Sequence, residues 1–176
     1  NVKVPAGLSV SSQIERGRSH CISSEIEDLF AYYIYDIIST ANPQTISNYT
    51  IYVDQRIDVN TNGAKSKSYY PDIIVVKNNE IVYMADIKID AGWFRNNVKG
   101  VLSKHLINAQ NVIKYVKMNG KNFKVKNYIT YDVIIVTAAN GGSNLYSIVN
   151  NWNNSQSGCE VFILCDGFHT NAPTVT

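Results

Sequence analysis

The sequence has little charge, few cysteines and no long apolar run, and each shortage argues against a class of protein. Charged residues make up 17% of the chain, below the roughly 25% that is usual. Hydrophobic residues make up 45%, which is too many for an intrinsically disordered chain. No apolar run approaches the roughly 20 residues that span a bilayer, so an integral membrane protein is not expected. The formal charge of +2 excludes a histone-like polycation but is compatible with local nucleic-acid binding.

The three cysteines, Cys21, Cys159 and Cys165, form an odd set without CxxC spacing. This pattern argues against a disulfide framework and against a zinc site. Cys159 and Cys165 flank the apolar run EVFIL, so we expect buried free thiols there. The first residues lack a basic stretch followed by an apolar one, so no signal peptide is expected. Together these features predict a protein of the reducing cytoplasm.

A chain of 176 residues has the usual size of one domain. We expect a single domain over residues 1–176, with an N-terminal arm over 1–21, a core over 22–165 and a tail over 166–176. Residues 23–39 are predicted to form the first helix, because apolar residues recur at helical spacing and acidic residues occupy the first turn. The predicted apolar stripe consists of Ile22, Ile26, Leu29, Phe30, Tyr33, Ile34 and Ile37.

The rest of the chain alternates between segments typical of strands and segments typical of helices. Strands are predicted over residues 49–59, 72–76, 81–89, 131–138 and 159–165, with a polar loop over 61–68. A second helix is predicted over 97–118, ending at Asn119-Gly120, and a third over roughly 143–153. The order α-β-β-β-α-β-α-β predicts an α/β fold with a mixed central sheet flanked by helices.

The segment SYYPDIIVVKNNEIVYMADIKID carries the strongest chemical pattern of the chain. If its two strands form a hairpin with a loop over residues 78–80, Asp72 lies opposite Asp86 on one face of the sheet. Lys88 follows on the same face, because alternate residues of a strand share a face. Two carboxylates can bind Mg²⁺, and a lysine can orient or deprotonate an attacking water or offset charge on phosphorus. A purely structural Asp86–Lys88 ion pair is the main alternative.

Pro71-Asp72 followed by Asp86-Ile87-Lys88 resembles the PD-(D/E)xK signature of the restriction-endonuclease-like nuclease superfamily, and the predicted element order resembles its α-β-β-β-α-β core. The resemblance implies a Mg²⁺-dependent endonuclease, with Mn²⁺ as a substitute. It implies catalytic roles for Asp72, Asp86 and Lys88. Asp72, Asp86 and Ile87 are the expected metal ligands.

In this superfamily a glutamate on the preceding helix often completes the site. Glu25 and Glu27 are both candidates, because both flank the apolar stripe of the first helix. Ser24 and Glu27 also fit a capping box, which is a purely structural use. The sequence therefore leaves the choice between the two glutamates open.

The resemblance implies double-stranded DNA as the partner and a type II restriction enzyme as the preferred role. A homodimer is expected, since cutting both strands of a symmetric sequence needs two sites. A recombination or repair nuclease of the Holliday-junction resolvase type is the second hypothesis, and a catalytically inactive DNA-binding module is the third. Tentative DNA contacts are Arg16, Arg18, His20, Lys65, Lys67, Arg95 and Lys99, although solvated loops are an equal alternative for most of them. His105 is assigned a structural or surface role.

Overall fold

The computed structural model describes residues 14–16, 24–59, 67–92, 97–112, 115–156 and 158–166. The helices in these ranges are α1 (Ser24–Ala41), α2 (Val98–Asn111) and α3 (Leu145–Ser155), with a short 3-10 helix over Ile46–Asn48. The strands are β1 (Ile14–Arg16), β2 (Tyr49–Val53), β3 (Ile57–Val59), β4 (Lys67–Tyr69), β5 (Ile73–Lys77), β6 (Glu80–Asp90), β7 (Tyr115–Met118), β8 (Lys121–Val125), β9 (Tyr131–Thr137) and β10 (Val161–Cys165). Within the described ranges, no helix is long and apolar enough to cross a membrane.

The central strands lie in the order β1-β2-β5-β6-β9-β10. β2, β5 and β6 are antiparallel neighbours, whereas β9 is parallel to both β6 and β10. One face carries α1, where Ala31 packs with Ile51 and Ile134. The other face carries α2 and α3, whose Leu102 and Trp152 share a core with β9 and β10. This arrangement confirms the predicted α/β class with a mixed sheet between helices.

A smaller group of strands extends from the first residues of β6. β8 pairs in parallel with Glu80 and Ile81 of β6, and the order continues as β8-β7-β3-β4. Inward side chains of these strands form one core with Ile74 and Met84 of the central strands. Because they share this core, the smaller group folds over the β5–β6 part of the central sheet.

The prediction that the second helix extends to residue 118 is wrong. α2 ends at Asn111, and β7 and β8 form a hairpin whose turn is Asn119-Gly120. Both turn residues have positive φ, +49° and +76°, as two-residue hairpin turns require. Val116 and Met118 are buried while Lys117 between them is exposed, which is the period of a strand. The Asn-Gly pair therefore joins two strands and does not end a helix.

The segment over 49–59 is also not one strand. Asp54 has a φ of +52°, and its main-chain N–H donates to the carbonyl oxygen of Asp72 at 2.8 Å. This break ends β2 in the central sheet and lets β3 begin in the smaller group. Lys67 and Ser68, expected in a polar loop, belong to β4.

Two expectations about the ends of the chain also change. Residues 14–16, within the expected arm, form β1 and pair in parallel with β2. Cys159 is buried as expected, but Cys165 is exposed. Cys21, most of the predicted arm and residues 167–176 of the predicted tail lie outside the described residues.

The predicted apolar stripe of α1 is confirmed in part, because Ile26, Phe30 and Ile34 pack against the core of the sheet. Ala31 is fully buried, whereas Leu29, Tyr33 and Ile37 are 61%, 59% and 48% exposed. The small side chain of Ala31 lies at the centre of the contact with the sheet. Glu27, one turn before Ala31, is therefore held on the buried side of the helix.

Phe123 tests the β7–β8 hairpin, because its side chain is buried there beside Tyr52. We expect Phe123→Ala to lower the free energy of unfolding by about 3 kcal/mol in urea titrations. Asn122→Ala, at the exposed neighbouring position, should change it by less than about 0.5 kcal/mol. Equal, small effects of both substitutions would contradict the hairpin.

Candidate active site

The turn between β5 and β6 is shorter than predicted. It contains only Asn78 and Asn79, with φ of 50° and 64°, and Lys77 pairs directly with Glu80. Asparagine tolerates this left-handed conformation better than most residues. The expected loop over residues 78–80 is therefore wrong by one residue, which alone would change which side chains share a face.

A bulge in β6 restores the register. Val76 pairs with Ile81, but Val75 pairs with Tyr83, so Val82 is an extra residue on β6. An inserted residue moves all later side chains to the opposite face relative to the partner strand. The short turn and the bulge thus compensate each other.

Beyond the bulge, Ile73 pairs with Ala85. Asp72 immediately precedes this pair on one strand and Asp86 immediately follows it on the other. Their side chains therefore lie on the same face, as the sequence predicted. Lys88 points to that face as well, because it lies two residues after Asp86.

Lys88 lies between the two carboxylates. Its Nζ is 3.6 Å from Asp72 Oδ2 and 3.5 Å from Asp86 Oδ2, and 3.4 Å from the carbonyl oxygen of Ile87. The main-chain N–H of Ile87 donates to Asp72 Oδ2 at 2.6 Å. The ion pair is thus a three-residue cluster, and the Lys88 side chain remains 29% exposed, so solvent reaches it.

The charges of this cluster keep Lys88 protonated. Burial favours the neutral amine, but the negative charges of Asp86 and Asp72 outweigh burial and raise the pKa of Lys88. An ammonium group cannot accept a proton. In the cluster without a cation, Lys88 is therefore an ammonium group that can offset negative charge, which is one of the two roles that the sequence allowed.

Tyr131 and His105 also surround Asp86, and sequence reasoning assigned neither to the site. The Tyr131 hydroxyl donates to Asp86 Oδ1 at 2.8 Å. His105 Nδ1 lies 3.3 Å from Asp86 Oδ2, in a direction unsuited to a hydrogen bond, and its ring meets Tyr131 edge-on. Burial lowers the pKa of His105 although the Asp86 charge opposes this, so the imidazole is neutral at pH 7.

One pattern in the sequence indicates that His105 faces the sheet. It lies on the buried side of α2 with Val98, Leu102 and Ala109, at the spacing of one helical face. A histidine in such a stripe faces the sheet. No comparable signal distinguished Tyr131, which opens β9.

The structure distinguishes the two glutamates of α1. Glu25 is exposed, whereas Glu27 is only 8% exposed and its charge acts on Asp72. Residues two apart on a helix point about 200° from each other, so only one of the pair can face the sheet. Glu27 is the glutamate near the site.

The cluster carries more negative than positive charge. Burial raises the pKa of Asp72 to about 7, and the charges of Asp86 and Glu27 add to the rise, while Lys88 and the Ile87 N–H oppose it. Asp72 and Asp86 thus share one lysine in a partly buried position. A bound divalent cation would offset this excess.

The oxygen atoms of the cluster fit Mg²⁺ better than zinc. Asp72 and Asp86 supply carboxylates, and Ile87 can contribute only its main-chain carbonyl. Among the described residues, no three His, Cys, Asp or Glu side chains form a metal-binding group. Mg²⁺ needs only one or two protein carboxylates, because it keeps several waters and takes substrate oxygens.

The tentative DNA contacts are only partly visible. Lys67 on β4 and Lys99 in the first turn of α2 are exposed. Arg16 lies in β1, but its side chain is not described. The others, Arg18, His20, Lys65 and Arg95, lie outside the described residues. Their roles stay predictions.

Comparison of the chain with known proteins gives no match to a family model, to a curated protein or to a solved structure. The resemblance to the PD-(D/E)xK nucleases therefore stays a prediction from the motif.

The pKa of Asp72 predicts how stability depends on pH. Its pKa is about 7 in the folded protein and about 3.9 in an unfolded chain, so the folded state keeps its proton longer as the pH rises. This contribution is fully present below about pH 4 and is lost between about pH 4 and 7. In EDTA, we expect Asp72 to lower the free energy of unfolding by about 2–4 kcal/mol between pH 4.5 and 8.

Asp72→Asn should remove this pH dependence, whereas Asp36→Asn on the exposed side of α1 should retain it. Mg²⁺ should stabilise the parent protein more at pH 8 than at pH 5, because it competes with the Asp72 proton. Identical urea profiles for the parent and Asp72→Asn would contradict the assignment.

Proposed function

We propose that this protein is a Mg²⁺-dependent endonuclease that hydrolyses phosphodiester bonds of double-stranded DNA. The observation that carries the proposal is the cluster of Asp72, Asp86 and Lys88, with Lys88 Nζ within 3.6 Å of both carboxylates. The charge of Glu27 on α1 acts on Asp72, and the PD-(D/E)xK resemblance implies that a glutamate of this helix completes the site. A structural ion pair needs only one carboxylate, whereas two mostly buried carboxylates lie around Lys88.

The proposed mechanism gives each side chain a separate task. Asp72, Asp86 and the Ile87 carbonyl would hold Mg²⁺, which lowers the pKa of bound water and polarises the phosphoryl oxygen. Lys88, as an ammonium, stabilises the negative charge that develops on the phosphoryl oxygens. Tyr131 holds Asp86 in orientation through its 2.8 Å hydrogen bond. Glu27 adds negative charge beside Asp72 and favours the cation.

The preferred role is a type II restriction enzyme that acts as a homodimer, since one domain carries one such site. A Holliday-junction resolvase would use the same chemistry on branched DNA. A catalytically inactive binding module would retain DNA affinity without turnover. Cleavage of linear phage DNA indicates the restriction enzyme, and cleavage of only a synthetic four-way junction indicates the resolvase. Binding without cleavage indicates the inactive module.

Lys88→Ala is the sharpest test of the chemistry. The carboxylates remain, so Mg²⁺ should still bind, but cleavage of phage DNA should fall by at least about 10²-fold. Lys77→Ala, at the far end of the same hairpin, is the matched control and should cleave like the parent. Wild-type cleavage by Lys88→Ala, or efficient cleavage by the parent in excess EDTA, would refute the proposal.

The two glutamates provide an internal comparison. Glu27→Gln should reduce cleavage and raise the Mg²⁺ concentration needed for half-maximal rate, because a charge beside Asp72 is removed. Glu25→Gln, at the exposed position on the same turn, should retain both properties and change stability by less than about 0.5 kcal/mol. The reverse pattern would show that Glu25, and not Glu27, is the glutamate near the site.

A further inference from the structure

The β7–β8 hairpin carries a concentration of positive charge that the active site does not use. Residues 114–126, KYVKMNGKNFKVK, contain five lysines and no acidic residue. Lys117, Lys121, Lys124 and Lys126 are all exposed. Five of the 16 basic residues of the chain thus lie within 13 positions.

The alternation of the hairpin gives it two chemically different faces. Val116, Met118, Phe123 and Val125 point inward and are buried. The outward face carries a row that crosses both strands, Lys117 opposite Asn122 and Tyr115 opposite Lys124. This outward face is polar and cationic, and Tyr115 is its one large apolar side chain among the described hairpin residues.

Nearby acids neutralise only part of this charge. Glu80 Oε1 lies 4.0 Å from Lys124 Nζ, and both side chains are well exposed, so the pair is weak. Asp58 pairs across the strands with Lys117, but it also accepts a hydrogen bond from Arg56 at 2.8 Å. On the outward side, Lys117, Lys124, Lys126 and Arg56 lie with the two carboxylates of Asp58 and Glu80, which leaves a net charge of +2 on this surface.

The hairpin lies at a defined distance from the candidate site. β8 pairs with β6 at Glu80, and Asp86 lies six residues further along the same strand. At about 3.3 Å per residue, this separation is about 20 Å. DNA rises about 3.4 Å per base pair, so a duplex that runs along β6 would have about six base pairs between the level of the β8 pairing and a phosphate at Asp86.

We propose that the outward face of the β7–β8 hairpin binds the phosphate backbone of duplex DNA about six base pairs from the scissile bond. The identification of the bound polyanion as duplex DNA rests on the proposed nuclease function. A membrane-binding face would expose several large apolar side chains among its lysines. Within the described part of the hairpin, this face exposes only Tyr115 of that kind, and its hydroxyl, like the amide of Asn122, can donate a hydrogen bond to phosphate.

The test measures how duplex affinity depends on salt. The triple variant Lys117→Gln/Lys124→Gln/Lys126→Gln removes the lysines of the outward face. It is compared with Lys117→Arg/Lys124→Arg/Lys126→Arg, which keeps every charge. Affinity for a 30-base-pair duplex is measured in EDTA by fluorescence anisotropy over a series of NaCl concentrations. Each lost phosphate contact should reduce the slope of log K against log salt by about 0.9. We expect the Gln triple to lose about 2–3 from the slope, and the Arg triple to match the parent.

The outcomes distinguish this inference from the proposed function. If the parent cuts duplex DNA but the Gln triple has the parental slope, the hairpin is not a phosphate contact and the nuclease proposal stands. If the parent neither binds nor cuts duplex DNA, both fail. If the triple substitution weakens binding only to single-stranded RNA or to phosphatidylserine vesicles, the hairpin serves that ligand and the inference is wrong.

Discussion

The candidate site depends on the register between β5 and β6. With a two-residue turn and no bulge, the residue opposite Asp72 would be Ala85, and the side chains of Asp86 and Lys88 would point to the opposite face. The extra residue Val82 prevents this. One irregularity in the sheet therefore decides whether two carboxylates and a lysine meet or lie on opposite sides of a strand.

Two regions of the described structure carry net charges of opposite sign. Around Asp72, two carboxyl groups share one lysine, and burial makes the negative charge of Asp72 costly. The hairpin at residues 115–125 carries lysines with few acids nearby. A polyanion bound to the hairpin would be repelled at the cluster unless a cation is present there. Metal binding and backbone binding are therefore expected to support each other.

The sequence predicted the placement of the three charged residues better than their surroundings. Asp72, Asp86 and Lys88 were placed on one face because strand period is a strong local rule. The turn was nevertheless wrong by one residue, and the bulge corrected it. A bulge depends on how β6 curves between its different neighbours, β8 at its start and β9 further along. No local pattern in the sequence reports that curvature.

The main errors of the sequence analysis concerned the length of α2 and the buried side of α1. Apolar residues after α2 were counted into a helix, although Val116 and Met118 alternate and Asn119-Gly120 is a hairpin signal. On α1 the large residues Leu29 and Tyr33 were assigned to the core, but the sheet contacts the side of Ala31. Helix orientation depends on how closely the backbone approaches its neighbour, which hydrophobicity alone does not reveal.

The central claim is that Asp72 and Asp86 together bind one divalent cation. Anomalous diffraction from crystals soaked in Mn²⁺ tests it directly, because the peak locates the ion independently of activity. The account predicts one peak within about 2.3 Å of an oxygen of each carboxylate, with Lys88 Nζ displaced from between them. A crystal with no peak at this position, and with Lys88 still bridging the two carboxylates, would contradict it.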